Sequence, residues 1–172
     1  MYALVVYESM FGNTRQIAKA VAEGLSSIMR VDVVEVGAAP TTVGEDVDLL
    51  VVGGPTHAFG MSKPGTRVAA AEQAAEPVIS QGIGLREWLD SAKVDAPALT
   101  AAAFDTHIRS HLVPGSAARG AEKRLRRLGV RFASPATSFY VMGSPGPLMV
   151  GEPDRARQWG ERLAATFAAQ AS

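Results

Sequence analysis

Apolar residues in this chain fall into short unbroken runs that alternate with stretches where they recur every three or four positions. That pattern predicts buried strands alternating with amphipathic helices. Ala3 to Tyr7 is the first run, and Ile17, Val21, Leu25 and Ile28 then mark one face of a helix over about 13–29. Arg15, Gln16, Lys19 and Glu23 fall on its wet side, and Gly24 inside it is a mild penalty. Residues 31–36 form a second strand whose two carboxylates, Asp32 and Glu35, suit a sheet edge. Residues 48–53 form a third, apolar on both faces as a central parallel strand must be.

Beyond the third strand the pattern loosens. A loop over residues 53–60 leads into a polar, alanine-rich stretch bracketed by Pro64 and Pro77, in which 66–76 has helical character. Residues 61–81 are read as a flexible insertion, either a mobile flap or a partner-facing segment. Leu85 to Leu89 gives a short helix, and Ala98 to Phe104 a fourth strand rich in small residues. A helix starting at Pro114-Gly115-Ser116 turns Ala117, Ala121, Leu125 and Leu128 inward and stops at Gly129. The fifth strand lies within 132–141, interrupted near Pro135, and a Gly/Pro-rich loop precedes a last helix that begins near Pro153 and buries Trp159, Leu163 and Phe167.

Strands alternating with helices at this spacing imply parallel pairing through right-handed crossovers. The expected fold is an α/β single domain over residues 1–172, a three-layer, doubly wound, five-stranded parallel sheet. Ligands in such sheets sit beyond the carboxyl ends of the strands, at the topological switch point.

Composition narrows the chemistry. Lys plus Arg and Asp plus Glu both number 17, so no net charge draws the chain to nucleic acid or anionic lipid. There is no cysteine, which removes disulfides, thiol redox couples and cysteine-ligated clusters, so redox chemistry requires a cofactor. No run has the length of a membrane span and no basic leader precedes Ala3, so the expected compartment is the cytoplasm.

The candidate chemistry concentrates in the turn between the first strand and the first helix, Glu8-Ser9-Met10-Phe11-Gly12-Asn13-Thr14. Small and hydroxyl-bearing residues at a helix start favour a bound anion, with simple helix capping by Ser9, Asn13 and Thr14 as the competing reading. A Walker-type loop is disfavoured because no Gly-Lys-Ser/Thr follows, and the dinucleotide fingerprint is absent.

Here the chain resembles the flavodoxin family. Ser9-Met10-Phe11-Gly12-Asn13-Thr14 is similar to that family's phosphate loop, with Gly54-Pro55-Thr56 after the third strand and Phe104-Asp105-Thr106 after the fourth as companions. The resemblance implies strand order 2-1-3-4-5 and flavin mononucleotide (FMN) as cofactor. It places the phosphate on the first loop with the hydroxyls of Ser9 and Thr14, the ring near Pro55, Thr56, His57, Ala58 and Phe59, and the ring's polar edge near Phe104, Asp105 and Thr106. Phe11 stands where the family usually has a hydroxyl, no tyrosine offers itself as a ring stacker, and the strong acidity of electron-shuttling flavodoxins is missing.

His57 is the candidate catalytic group, able to contact the flavin or protonate a reduced substrate, with a structural histidine as the alternative. Asp105 and Thr106 read equally as a turn or cap. His107 and His111 are four apart but lack companions, so no metal site is expected. Arg15 and the cluster Lys123, Arg124, Arg126, Arg127 and Arg131 read as solvated faces unless a carboxylate-rich partner or nicotinamide phosphate docks there. Trp88 and Trp159 read as core. The function implied is redox: electron transfer with a partner protein or an NAD(P)H-linked reductase, or direct reduction of a small acceptor, as in quinone reductases or porphyrinogen oxidases. The rival is a binding or regulatory module of the same fold that has lost FMN.

Overall fold

The computed structural model describes residues 1–110 and 114–170. One mainly parallel sheet organises them. Its strands are β1 (Tyr2–Tyr7), β2 (Arg30–Glu35), β4 (Leu49–His57) and β7 (Thr100–Ile108), with the short β8 (Arg131–Phe132) and β9 (Thr137–Val141) sharing the outer edge of β7. The order β2-β1-β4-β7-β8/β9 is the expected 2-1-3-4-5, the fifth strand being split at Ala133 to Ala136 around Pro135. β5 (Gly60–Met61) turns back antiparallel on β4, and β3 (Thr42–Val43) pairs with β6 (Lys93–Val94) apart from the main sheet.

Side chains alternate across the sheet, and both faces are covered. Ala3, Val5, Leu49, Val51, Ala102 and Phe104 pack under α1 (Asn13–Leu25) and α5 (Glu152–Gln170). Leu4, Val6, Leu50, Val52, Ala101 and Ala103 pack under α3 (Leu85–Ser91) and α4 (Ala117–Arg127). This two-sided burial is why the strands read as continuous apolar runs. Phe104, Phe139 and Trp159 meet edge to face at centroid distances of 5.9–6.2 Å. Gly53 makes room for Phe104, whose ring a Cβ there would overlap.

Several boundaries differ from the sequence reading for local reasons. α1 ends at Leu25 because Ser26 and Ser27 turn their hydroxyls onto the carbonyls of Ala22 and Gly24, leaving Ile28 exposed. α4 starts at Ala117, since Gly115 is in the left-handed region at φ 100° and Ser116 caps the helix through the amide of Arg119; Leu128, just past its end, is exposed. β4 and β7 run on through Pro55 to His57 and Asp105 to Ile108, because their parallel register continues from Gly53–Phe104 to Pro55–Thr106. Within residues 61–81 lies α2 (Pro64–Gln73). Among the described residues no helix is long and apolar enough to cross a membrane.

Candidate functional site

The turn from β1 to α1 is built to leave donors open. Gly12 sits at φ 99°, a conformation glycine adopts without a Cβ clash, and serves as the N-cap with no side-chain hydrogen bond to the helix. The first amide within the helix to find a carbonyl belongs to Gln16, which donates to Gly12 O at 3.0 Å. The amides of Asn13, Thr14 and Arg15 therefore form an open, positively polarised first turn. The competing capping reading fails for Ser9, whose Oγ instead accepts from the Gly12 amide at 3.2 Å and so shapes the turn from inside.

Thr14 Oγ1 lies 2.8 Å from Thr106 Oγ1 on β7, and both residues are buried. Two hydroxyls carry two protons and their mutual bond uses one, so one donor remains for a ligand. The proton on Ser9 Oγ likewise has no acceptor among the described residues. Asn13 Nδ2 donates to Pro145 O at 3.2 Å and holds the 143–147 loop beside the turn, where a Cβ on Gly146 would collide with the Asn13 side chain.

These groups border a cavity of about 70 Å³. Ser9, Met10, Phe11, Asn13 and Thr14 form one side, and Pro55, Thr56, His57 and Thr106 the other, closed by Ile108, Val141 and Ser144. Among the described residues no lysine or arginine lines it. It shares Thr56, His57, Ile108 and Ser144 with a second, neighbouring cavity of about 310 Å³, lined further by Ala58, Phe59 and His107 and by α2. Together they fall within the range of small-molecule sites, roughly 300–1,000 Å³.

Phe104 and Asp105 line neither cavity. Alternation along β7 turns Phe104 into the core below α1 and α5, and Asp105 to the opposite face. Asp105 Oδ2 accepts from Ser116 Oγ at 2.5 Å and the Ala118 amide at 3.1 Å, and its buried Oδ1 has no partner among the described residues. Trp88 and Trp159 are core residues. Arg124 pairs with Asp90 and Arg126 with Glu122, each at 2.8 Å. His111 lies outside the described residues, among which no group of three potential metal ligands occurs.

Ala58 and Phe59 form the two-residue turn between β4 and β5, both at positive φ (42° and 79°) without a glycine. Phe59 is thereby held 60% exposed at the mouth of the second cavity. Gly115 packs so closely on this turn that a Cβ would lie 1.8 Å from Phe59 O.

His57 Nδ1 is 3.1 Å from Thr66 Oγ1 on α2. Burial, and then the positive charge of Arg67, pushes its pKa below the ordinary histidine value. The shift favours the neutral form of the ring.

The sequence reading missed Glu8 as a buried carboxylate. It is 1% exposed, accepting from Leu85 N and Ser62 Oγ at 2.6 Å each. Burial raises its pKa, against the opposing effects of Ser62, Leu85 N and Arg67. Arg67 also donates to Ser62 Oγ at 2.9 Å and pairs with Glu87. On the other side, Ser80 N donates to Ser9 O at 2.8 Å while Ser80 Oγ accepts from Ser9 N at 2.9 Å, and Ile79 N reaches Met10 O at 3.1 Å. Segments 61–67 and 79–87 thus brace the turn from below. The one sequence signal was a carboxylate directly after a buried strand.

Comparison with known proteins agrees with this geometry. The family model described as flavodoxin matches residues 5–159. A flavodoxin from the domain Archaea superposes with a TM-score of 0.65 at 20% identity, covering 98% of this chain and 99% of its own. Oxidised Flavodoxin 1 from Bacillus cereus gives 0.67 at 14% identity, with 96% and 98% covered. The flavodiiron core of Flv1 from Synechocystis gives 0.63 at 18% identity, covering 98% of this chain but 36% of that one. No curated protein matches the chain in sequence.

Proposed function

The chain belongs to the flavodoxin family, and from that premise we propose that it is an FMN-binding redox protein, with the phosphate on Ser9 to Thr14 and the ring beside Thr56, His57, Ala58 and Phe59. The observation that carries this reading is the open first turn of α1. Its free amides, with the spare hydroxyl protons of Ser9 and of the Thr14–Thr106 pair, border a cavity that has no cationic side chain among the described residues. Such a nest favours a phosphate ester.

When bound, the flavin supplies the one- or two-electron chemistry. The chain's residues anchor and orient it. His57, tied through Nδ1 to Thr66 and with its pKa lowered by burial, leaves Nε2 as the nitrogen available to the ring or to a substrate. Equal numbers of acidic and basic residues distinguish this surface from a strongly acidic shuttle and favour a small acceptor such as a quinone, with an NAD(P)H-linked reductase as a source of electrons.

The test is the visible spectrum of the purified protein, followed by FMN titration monitored by fluorescence quenching. A yellow protein, or saturable uptake that weakens about tenfold or more in Thr14→Ala, is expected, since a hydrogen bond to a charged group is worth about 1.5–3 kcal/mol. A colourless protein that takes up no FMN would move the chain to the binding-module reading. Quinone turnover with NADH or NADPH by the protein alone separates an enzyme from a carrier.

A further inference from the structure

His107 is the shared wall between the second cavity and a third one of about 350 Å³, which opens between the end of β7, the start of α4 and β9. Arg109, Ser116, Arg119, Ser138 and Tyr140 line this third cavity with it. Most of the neighbouring carboxylate oxygens are committed elsewhere, the buried Oδ1 of Asp105 being the exception. Glu152 accepts from Arg155 at 2.6 Å and from the Tyr140 amide at 2.7 Å, Asp105 Oδ2 is taken by Ser116 and Ala118, and Glu122 pairs with Arg126. Glu152 feels the charge of Arg109 without forming an ion pair with it. Arg109 instead lies over the Tyr140 ring, 5.7 Å from its centroid, and Arg119 has no carboxylate partner among the described residues.

A second observation points the same way. His107 Nε2 is buried and has no hydrogen-bond partner among the described residues, whereas buried polar atoms are almost always satisfied. Two guanidinium forks, the Ser138 hydroxyl and an orphaned imidazole nitrogen surround one concavity suited to an oxyanion, the Ser116 hydroxyl being already given to Asp105.

We propose that this cavity binds the phosphate or carboxylate of a small anionic molecule, with Arg109 and Arg119 supplying the charge and His107 Nε2 a further polar contact. Resting on the flavin reading, the geometry identifies that molecule as an electron donor or acceptor: its charged end is anchored one residue's thickness from the flavin cavity, which orients the remainder.

The experiment follows the His107 imidazole signals by NMR in FMN-saturated protein, assigned with His107→Gln, during titration with inorganic phosphate and, separately, acetate at constant ionic strength. Saturable shifts are expected with phosphate, acetate or both, and not with chloride. They should weaken about tenfold or more in Arg109→Gln/Arg119→Gln, both exposed positions, while FMN quenching in that variant is unchanged. A response to phosphate alone indicates a phosphate ester, and a response to both a more general oxyanion. No saturable response, or one equal in the variant, overturns the proposal while leaving flavin binding intact. If the protein takes up no FMN yet shows the arginine-dependent phosphate response, the anion site stands and the flavin reading falls.

Discussion

Gly24→Ala is expected to destabilise the protein, although helix propensity alone argues the reverse. In an ordinary helix the change would gain about 1 kcal/mol. Here a Cβ on Gly24 would lie 2.1 Å from Arg157 O and 2.8 Å from Glu161 N, and one on Gly160 would lie 2.3 Å from Val21 O. These are backbone atoms, so no rotamer change relieves the overlap. Reaching the 3.4 Å of an ordinary contact moves α5 off α1 by about 1.3 Å. Overpacking of this kind costs about 1–3 kcal/mol. A gap of that size also forfeits much of the dispersion energy around Trp159 and Leu163, each worth about 1.5–3 kcal/mol buried. After the propensity gain, a net loss of about 3 kcal/mol remains, or about 6–12 °C in Tm for a domain of this size. Thermal and urea unfolding measure it, with Gly65→Ala as control: that glycine lies in α2 with nothing within 4 Å of an added Cβ and should be neutral or stabilising. Gly24 is about 18 Å along α1 from Gly12, so FMN affinity should persist in the folded variant. A Gly24→Ala protein as stable as the parent would refute the close helix crossing.

Glu8→Gln should gain stability relative to the parent as pH rises from about 4 towards 8. Burial raises the Glu8 pKa in the folded state, so its favourable contribution is full below the unfolded value and is lost as pH rises through the folded one, by about 1.4 kcal/mol per unit of separation; a flat difference between the two proteins across that range would count against the burial. Glu152 behaves oppositely. Its own burial would raise its pKa, but Arg155, the Tyr140 amide and Arg109 together lower it, so its contribution is present above about 4.5 and is lost as pH falls through the folded value. Glu152→Gln should therefore flatten the acid limb of an unfolding curve below that pH, and an unchanged limb would contradict the network. Replacing Ala58-Phe59 by Asn-Gly should raise Tm by a few degrees, because each left-handed non-glycine residue costs about 1–2 kcal/mol, while removing the exposed ring at the cavity mouth; a lower Tm would mean the turn is not strained.

What could be read from the sequence divides along chain separation. The strand order and both helical layers are legible because apolar runs and periodic faces are local patterns, and two-sided burial leaves the strands almost no polar positions. The open turn before α1 is legible for the same reason: Ser9, Gly12, Asn13 and Thr14 lie within six residues, and its geometry is carried by that one turn. Gly24 misleads, since its helix cost is visible locally while its partner at Gly160 is not. Glu8 misleads more. A carboxylate after an apolar run reads as the first residue of a wet loop, and only Ser62 and Leu85, 54 and 77 positions away, make it an interior group. The ends of β4 and β7 follow the same logic. Thr56, His57 and Thr106 read as loop residues because of their polarity, yet the parallel register extends through Thr106 and each side chain goes to the face its position in the strand dictates. Thr106 therefore reaches Thr14, while Asp105 turns to α4 and His107 to the cavity wall beside Arg109. A motif names the residues near a cofactor, but strand alternation decides which of them can touch it. On that ground Thr106 belongs with the turn before α1, and His107, outside the motif, with the neighbouring cavity beside Arg109.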